Sequence, residues 1–333
     1  MQIDLRTVSI TPLRQTYNHI AERQGADKPA SRYIEGTMNV QPDANFHYRP
    51  TWDPEHELFD PRRTRLVMKD WYALKDPRQF YYGAYTQARA RMQEVAEADF
   101  EFVETRGLAD RFDDAARRVA LDFYVPLRHV AWGANMNGAY QCAYGYGTAI
   151  TQPCLYAGMD QLGIAQYLTR LGLLLGNPGE LEAGKQAWLE APAWQPLRRL
   201  VEDTWVMKDW FELYVAQNVV LDGVLFGLAY KEVDQALSER AGPVVSMLTR
   251  FQAEWAQDAN KWVDAVMKVA AAESPENKAL LSEWYAHWRA RVQEALAPVA
   301  ELGLGSDDGA QALERALAAV DARMNKAGLS LAA

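Results

Sequence analysis

Residues 130–169 read VAWGANMNGAYQCAYGYGTAITQPCLYAGMDQLGIAQYLT, forty positions with one formal charge, Asp160, in a chain that is 24% charged. A stretch so poor in charge has to be wrapped by the rest of the protein, and it reads as the buried centre. It is not a bilayer span, because Asn135, Asn137, Gln141, Gln152, Gln161 and Gln166 are scattered through it and Pro153 interrupts it. Gly133, Gly138, Gly145 and Gly147 let helices approach closely, and the amides can hydrogen-bond one another inside the packing. The pattern predicts two long central helices of a bundle, with the turn between Tyr146 and Pro153.

Outward from that centre, 333 residues at 49% hydrophobic content suffice for a large core without disulfide or metal staples. A net charge of −9 argues against nucleic acid or an anionic membrane as partner. Cys142 and Cys154, the two cysteines, both lie in the charge-poor stretch without metal-site spacing and read as small buried residues of a reducing compartment. The start MQIDLRTVSI carries an early acid and no apolar core of a signal peptide, so a cytoplasmic location is expected. The other long apolar run, Val219 to Tyr230, contains Asp222 and is too short to span a bilayer.

Residues 1–75 lack helical periodicity and are rich in Pro, Asp, Arg and aromatics. Pro42, Pro50, Pro54 and Pro61 favour extended backbone, while Phe46, Tyr48, Trp52 and Phe59 supply surface to bury. This segment is expected to be an ordered, extended N-terminal arm lying across its own bundle or a partner. Residues 76–330 form the expected helical domain. Asp76-Pro77-Arg78-Gln79 has the composition of a helix start, and the helix should run past Phe80, Tyr81 and Tyr82 to Glu104. A second helix leads from Asp110, kinked near Pro126, into the central pair, and Asn177-Pro178-Gly179 closes the first half. Further amphipathic stretches lie at Leu197–Tyr230, Pro243–Ala272, Pro275–Leu302 and Asp308–Lys326.

The chemistry-bearing residues are sparse. Of the five histidines, only His56 has a carboxylate three residues earlier, Asp53, and Pro54 between them argues against a helix. Glu101 with Glu104, and Glu283 with His287, fit solvated helix faces or local ion pairs. No Ser/His/Asp order, phosphate-binding loop or zinc spacing is present. The aromatic load, eleven Trp included, fits both a core and a large permanent interface.

Three segments carry a resemblance. The central pair, DPRQFYYGAYTQARARM (Asp76–Met92) and the Phe46–Trp52 segment together resemble the beta subunit of phenol hydroxylase oxygenase components, among the bacterial multicomponent di-iron monooxygenases. The resemblance implies an all-α, ferritin-like bundle. In the iron-bearing alpha chains of that family, one helix supplies a Glu and the next Glu-x-x-His, twice over. Carried onto this sequence, the positions fall near Ala131, at Gln161 and Ile164, and near Trp255 and Asp258, none of which reads as a complete ligand set. The resemblance therefore implies a chain that is non-catalytic and holds no cofactor. Its di-iron centre would belong to a partner alpha subunit, in an assembly of two alpha, two beta and two gamma chains, served by an NAD(P)H-dependent reductase and a small regulatory protein. Its partner interface would use Phe46, Tyr48, Trp52, Phe59, Phe80, Tyr81 and Tyr82. From the residues alone, a stand-alone metalloenzyme with an atypical carboxylate site and a helical small-ligand-binding protein both stay open.

Overall fold

A computed structural model describes residues 16–41 and 49–329, and among these every regular element is a helix. The segment expected to be extended is partly helical: α1 (Asn18–Gln24) and α2 (Arg32–Thr37) lie within it. Each is under two full turns, too short to leave a periodic signal. Ser31 caps α2 by accepting from the Ile34 amide, and Ile20 of α1 is fully buried with Met38, Tyr72 and Ala149. Single 3-10 turns follow at Pro61–Arg63 and Trp71–Ala73, and the described part of the segment lies on this chain's own helices. Thr37 Oγ1 bonds Gln152 at 3.2 Å, the Tyr33 hydroxyl accepts from the Asp76 amide, and Gln41 accepts from the Gly147 amide. Residue 75 does not divide two cores, since Leu66, Met68, Trp71 and Leu74 are buried in the same core as the bundle.

The Asp76-Pro77 start is displaced. The Asp76 carboxylate accepts from the Arg78 amide and ion-pairs with its guanidinium, and Gln79 adopts a left-handed φ of 54°. The turn is thereby closed on itself, and α3 begins only at Tyr82, running Tyr82–Thr105. Next come α4 (Asp114–Tyr144), continuous through Pro126, and α5 (Thr148–Leu175). They are joined by Gly145–Gly147, where Gly147 takes a φ of 91° that a side chain would oppose. This antiparallel pair crosses most closely at Gly138 and Gly158, where a Cβ on Gly138 would stand 2.8 Å from the Gly158 Cα. Asn177 starts a helix as well as ending one: it caps α6 (Pro178–Glu190) through the Gly179 amide.

The stretch expected as one helix from Leu197 is broken. α7 (Gln195–Thr204) stops, and α8 restarts at Trp210 because the Asp209 carboxylate accepts from the Phe211 and Glu212 amides. α8 runs Trp210–Ala241 and widens to π-helix over Val215–Leu221 and Leu228–Val233. It is the one described helix long and apolar enough to cross a membrane, yet 83% of its most apolar window is buried inside the protein, the condition of a core helix. The chain closes with α9 (Val244–Leu248), α10 (Arg250–Glu273), α11 (Pro275–Leu304) and α12 (Ser306–Ala327). Helices α4, α5, α8 and α10 meet around one centre, with α11 and α12 packed outside α8 and α10.

Candidate functional site

The π-helical turn of α8 brings residues five apart into register. Gln217 and Asp222 are so spaced, and Gln217 Nε2 donates to Asp222 Oδ1 at 2.8 Å. From α5, Gln161 Nε2 donates to the same oxygen at 3.3 Å. From α4, Asn137 Nδ2 donates to Gln217 Oε1 and to Thr204 Oγ1, each at 2.8 Å, and Gln141 Nε2 donates to Asn218 Oδ1 at 3.0 Å. Asn137, Gln141, Gln161, Gln217, Asn218 and Asp222 are each at most 7% exposed. Buried carboxamides cost free energy unless paired, and here they pair chiefly with one another.

Asp222 is the one carboxyl in this network, and among the described residues no cation pairs with it. Burial pushes its pKa from the ordinary 3.8 to about 7, against the opposing pull of the Gln217 and Gln161 amides. A two-iron centre needs several carboxylates and imidazoles converging on one point. Five carboxamides and one carboxyl do not fit that requirement, since amides are weak ligands for ferric iron. His19, His56, His129 and His287 contribute no atom. His129 stacks on Trp188 of α6, its pKa lowered to about 4 by burial. Among the described residues there is no group of three or more His, Cys, Asp or Glu placed to hold a metal.

Beside this network stands an ion cluster. Asp160 of α5 accepts from the Arg89 guanidinium at 2.9 Å, from the Tyr85 hydroxyl at 2.9 Å and from Trp255 Nε1 at 2.8 Å. Burial raises its carboxyl even though all three partners favour the charged form. Asp258 of α10 lies 3.4 Å from Arg89 and 3.5 Å from Arg78, so the lone charge of the charge-poor stretch ties α3 and α10 to α5.

Of the positions singled out from sequence, Gln161 is in the amide network. Ile164 is apolar core, 1% exposed. Ala131 is buried on α4 but is not the polar position there, which falls to Asn137 and Gln141. Trp255 and Asp258 belong to the ion cluster. Gln217, Asn218 and Asp222 were not anticipated; an acid embedded in the apolar run Val219–Tyr230 was the available signal, because such a group must find partners.

Of the expected interface residues, Phe46 and Tyr48 lie outside the described residues. Trp52 is 60% exposed, edge-on to Tyr144, and Tyr82 is 71% exposed. Phe59 and Tyr81 are half-buried. Phe80 is a correction: it is buried against Tyr85 and Tyr156 under the Arg78 guanidinium, so its ring is already committed to this chain. A larger apolar face is exposed on the central pair itself, with Trp132 and Met136 on α4 and Leu155, Met159, Leu162 and Leu173 on α5.

Comparison with known proteins places this arrangement. The profile of the methane/phenol/alkene hydroxylase family matches residues 52–274. The phenol 2-monooxygenase oxygenase component DmpL of Pseudomonas sp. (strain CF600) is 46% identical over 331 residues, 99% of this chain and 98% of that one. The hydroxylase component subunit beta of the toluene-4-monooxygenase system of Ectopseudomonas mendocina is 26% identical over 91% of this chain and 94% of its own length. A crystal structure of phenol hydroxylase from Pseudomonas sp. OX1 superposes with a TM-score of 0.91 at 46% identity, covering 97% of this chain and 98% of that one. With full-length identity, a matching profile and the same helical architecture, this chain belongs to the methane/phenol/alkene hydroxylase family.

Proposed function

We propose that this chain is the structural, non-catalytic beta-type subunit of a multicomponent phenol or aromatic monooxygenase hydroxylase. The observation that carries the proposal is the chemistry of the four-helix centre, where side-chain amides bond one another and hold a single carboxyl. When bound in the partner alpha subunit, a di-iron centre supplies the oxygen activation. The residues of this chain hold a rigid scaffold instead: the amide network locks α4, α5 and α8 in register, and the Asp160–Arg89 cluster fixes α3 and α10 against them.

The partner side of the proposal is supported by the exposed, uncharged face of α4 and α5. Trp132, Met136, Met159 and Leu162 are each more than 40% exposed, and a contiguous apolar surface of this kind is what permanent interfaces cover. The names of the relatives agree with this role. In the proposed assembly two alpha, two beta and two gamma chains form the hydroxylase in the cytoplasm, and an NAD(P)H-dependent reductase and a small regulatory protein act on it. Affinity purification of this chain, co-expressed with its neighbouring hydroxylase chains, tests the proposal. Stoichiometric co-elution with aromatic hydroxylation by the complex is expected. A monodisperse chain that hydroxylates phenol by itself would overturn it.

A further inference from the structure

Beside Asn218 and Asp222, at the edge of the amide network, a cavity of about 310 Å³ lies between α8, α10 and α12. The Asp222 carboxyl is part of its wall, and so are Phe226, Tyr230, Trp255, Val263 and Val320. Phe226 sits 4.9 Å from the Trp255 ring and 5.0 Å from the Tyr230 ring, which makes one flank a continuous aromatic surface. Asp222 Oδ1 is occupied by the Gln217 and Gln161 amides, whereas Oδ2 takes no hydrogen bond from any described residue. The residue keeps 7% of its surface open. Oδ2 is thus an oxygen without a partner among the described residues, at the edge of an aromatic cavity. A cavity of about 150 Å³ already accommodates benzene, so the volume suits a single-ring molecule with room for a substituent.

We propose that this cavity is a binding site for one small hydroxylated aromatic, a phenol, with its ring against Phe226 and Trp255 and its hydroxyl donating to Asp222. The aromatic flank supplies the affinity, and among the polar lining groups, Asn218, Asp222, Lys231, Gln257, Asn260 and Arg323, the Asp222 carboxylate supplies the orientation by accepting from the hydroxyl. Selectivity comes from the hydroxyl when Asp222 is ionised, because a ring that cannot donate then leaves the carboxylate oxygen unpaired while still displacing water. The protonated carboxyl, by contrast, can donate from Oδ2 to an ether as well. The site belongs to this chain's own residues and needs no metal, so it stands or falls separately from the subunit role.

The test is fluorine NMR line-broadening of 4-fluorophenol and of its methyl ether, 4-fluoroanisole, at about pH 8.5, where Asp222 is ionised, on the protein purified with whatever chains accompany it. Each is compared with the same preparation carrying Ala256→Phe, which fills the cavity from its half-buried wall on α10. Subtracting the variant isolates this cavity from any site on another chain. Expected is a component for 4-fluorophenol that Ala256→Phe removes, with 4-fluoroanisole bound at least ten-fold more weakly. Asp222→Asn retains an acceptor for both glutamine amides, so it serves as a folded second variant and should weaken 4-fluorophenol at least three-fold. Equal binding of the two probes, or a signal unchanged in both variants, would overturn the proposal.

Discussion

Replacing Asp222 by Asn should make the protein more stable above about pH 4, by an amount that grows up to neutrality. In the native state the carboxyl is held at about 7 against an ordinary 3.8, because it is buried with amides as its only hydrogen-bond partners. A shift of about three units at about 1.4 kcal/mol each corresponds to roughly 4 kcal/mol. With the folded pKa raised, this contribution is fully present below about pH 4 and is lost as pH rises through 7, where the native state has to bury a charge that the unfolded chain hydrates. Asn cannot ionise and can accept from Gln217 and Gln161 as the carboxyl oxygen does. The difference in unfolding free energy, variant minus wild type, should therefore be flat below pH 4, climb between pH 4 and 7, and level off about 4 kcal/mol higher. Taking the difference cancels the opposite contributions of carboxylates such as Asp60, which Arg62 holds at about 2. Urea melts of both proteins from pH 4 to 8 provide the measurement, and infrared difference spectra should show a protonated-carboxyl band that titrates near neutrality and is missing from the variant. A pH-independent difference, or a variant destabilised throughout, would refute the reasoning by showing Asp222 to be ionised and needed in that form.

Writing iron ligands into the centre, Gln161→Glu with Ile164→His, should cost about 2–5 kcal/mol, because it replaces an amide donor to Asp222 with a second acid and puts an imidazole into a fully apolar slot; denaturant melts at wild-type strength would contradict this. Gly138→Ala should lower stability by about 1–3 kcal/mol, since its Cβ would press on the Gly158 backbone, which cannot rotate away; an unchanged melting temperature would mean that the two helices separate freely. Arg89→Met strands the buried Asp160 and should cost about 3–5 kcal/mol, much of it recovered by adding Asp160→Leu; a double variant no better than the single would show that Arg89 acts through packing alone.

The parts legible in the sequence are those with a signal in composition. One charge in the stretch 130–169 was enough to locate the central helix pair, and the amides within it were enough to anticipate a buried polar network containing Gln161. The register on α4 was not legible: counting helix lengths put the polar position near Ala131, while Asn137 and Gln141 face α8. The contribution of α8 was hidden because its π-turn sets Gln217 beside Asp222, a pairing that an α-helical wheel separates. Asp76-Pro77 resembled a helix cap in composition, but its carboxylate was taken by Arg78, a side-chain choice that composition does not encode. Phe80 looked like an interface anchor because burial against Tyr156 of α5 is a tertiary contact, and α1 and α2 are too short for periodicity to reveal.

The most direct measurement is native mass spectrometry of the assembled hydroxylase, with gentle dissociation that ejects single chains. This chain should be present in equal number to its iron-bearing partner and should leave at its polypeptide mass, with the iron retained by another chain. Ejection of this chain carrying two iron ions would contradict the structural, non-catalytic role assigned to its carboxamide centre.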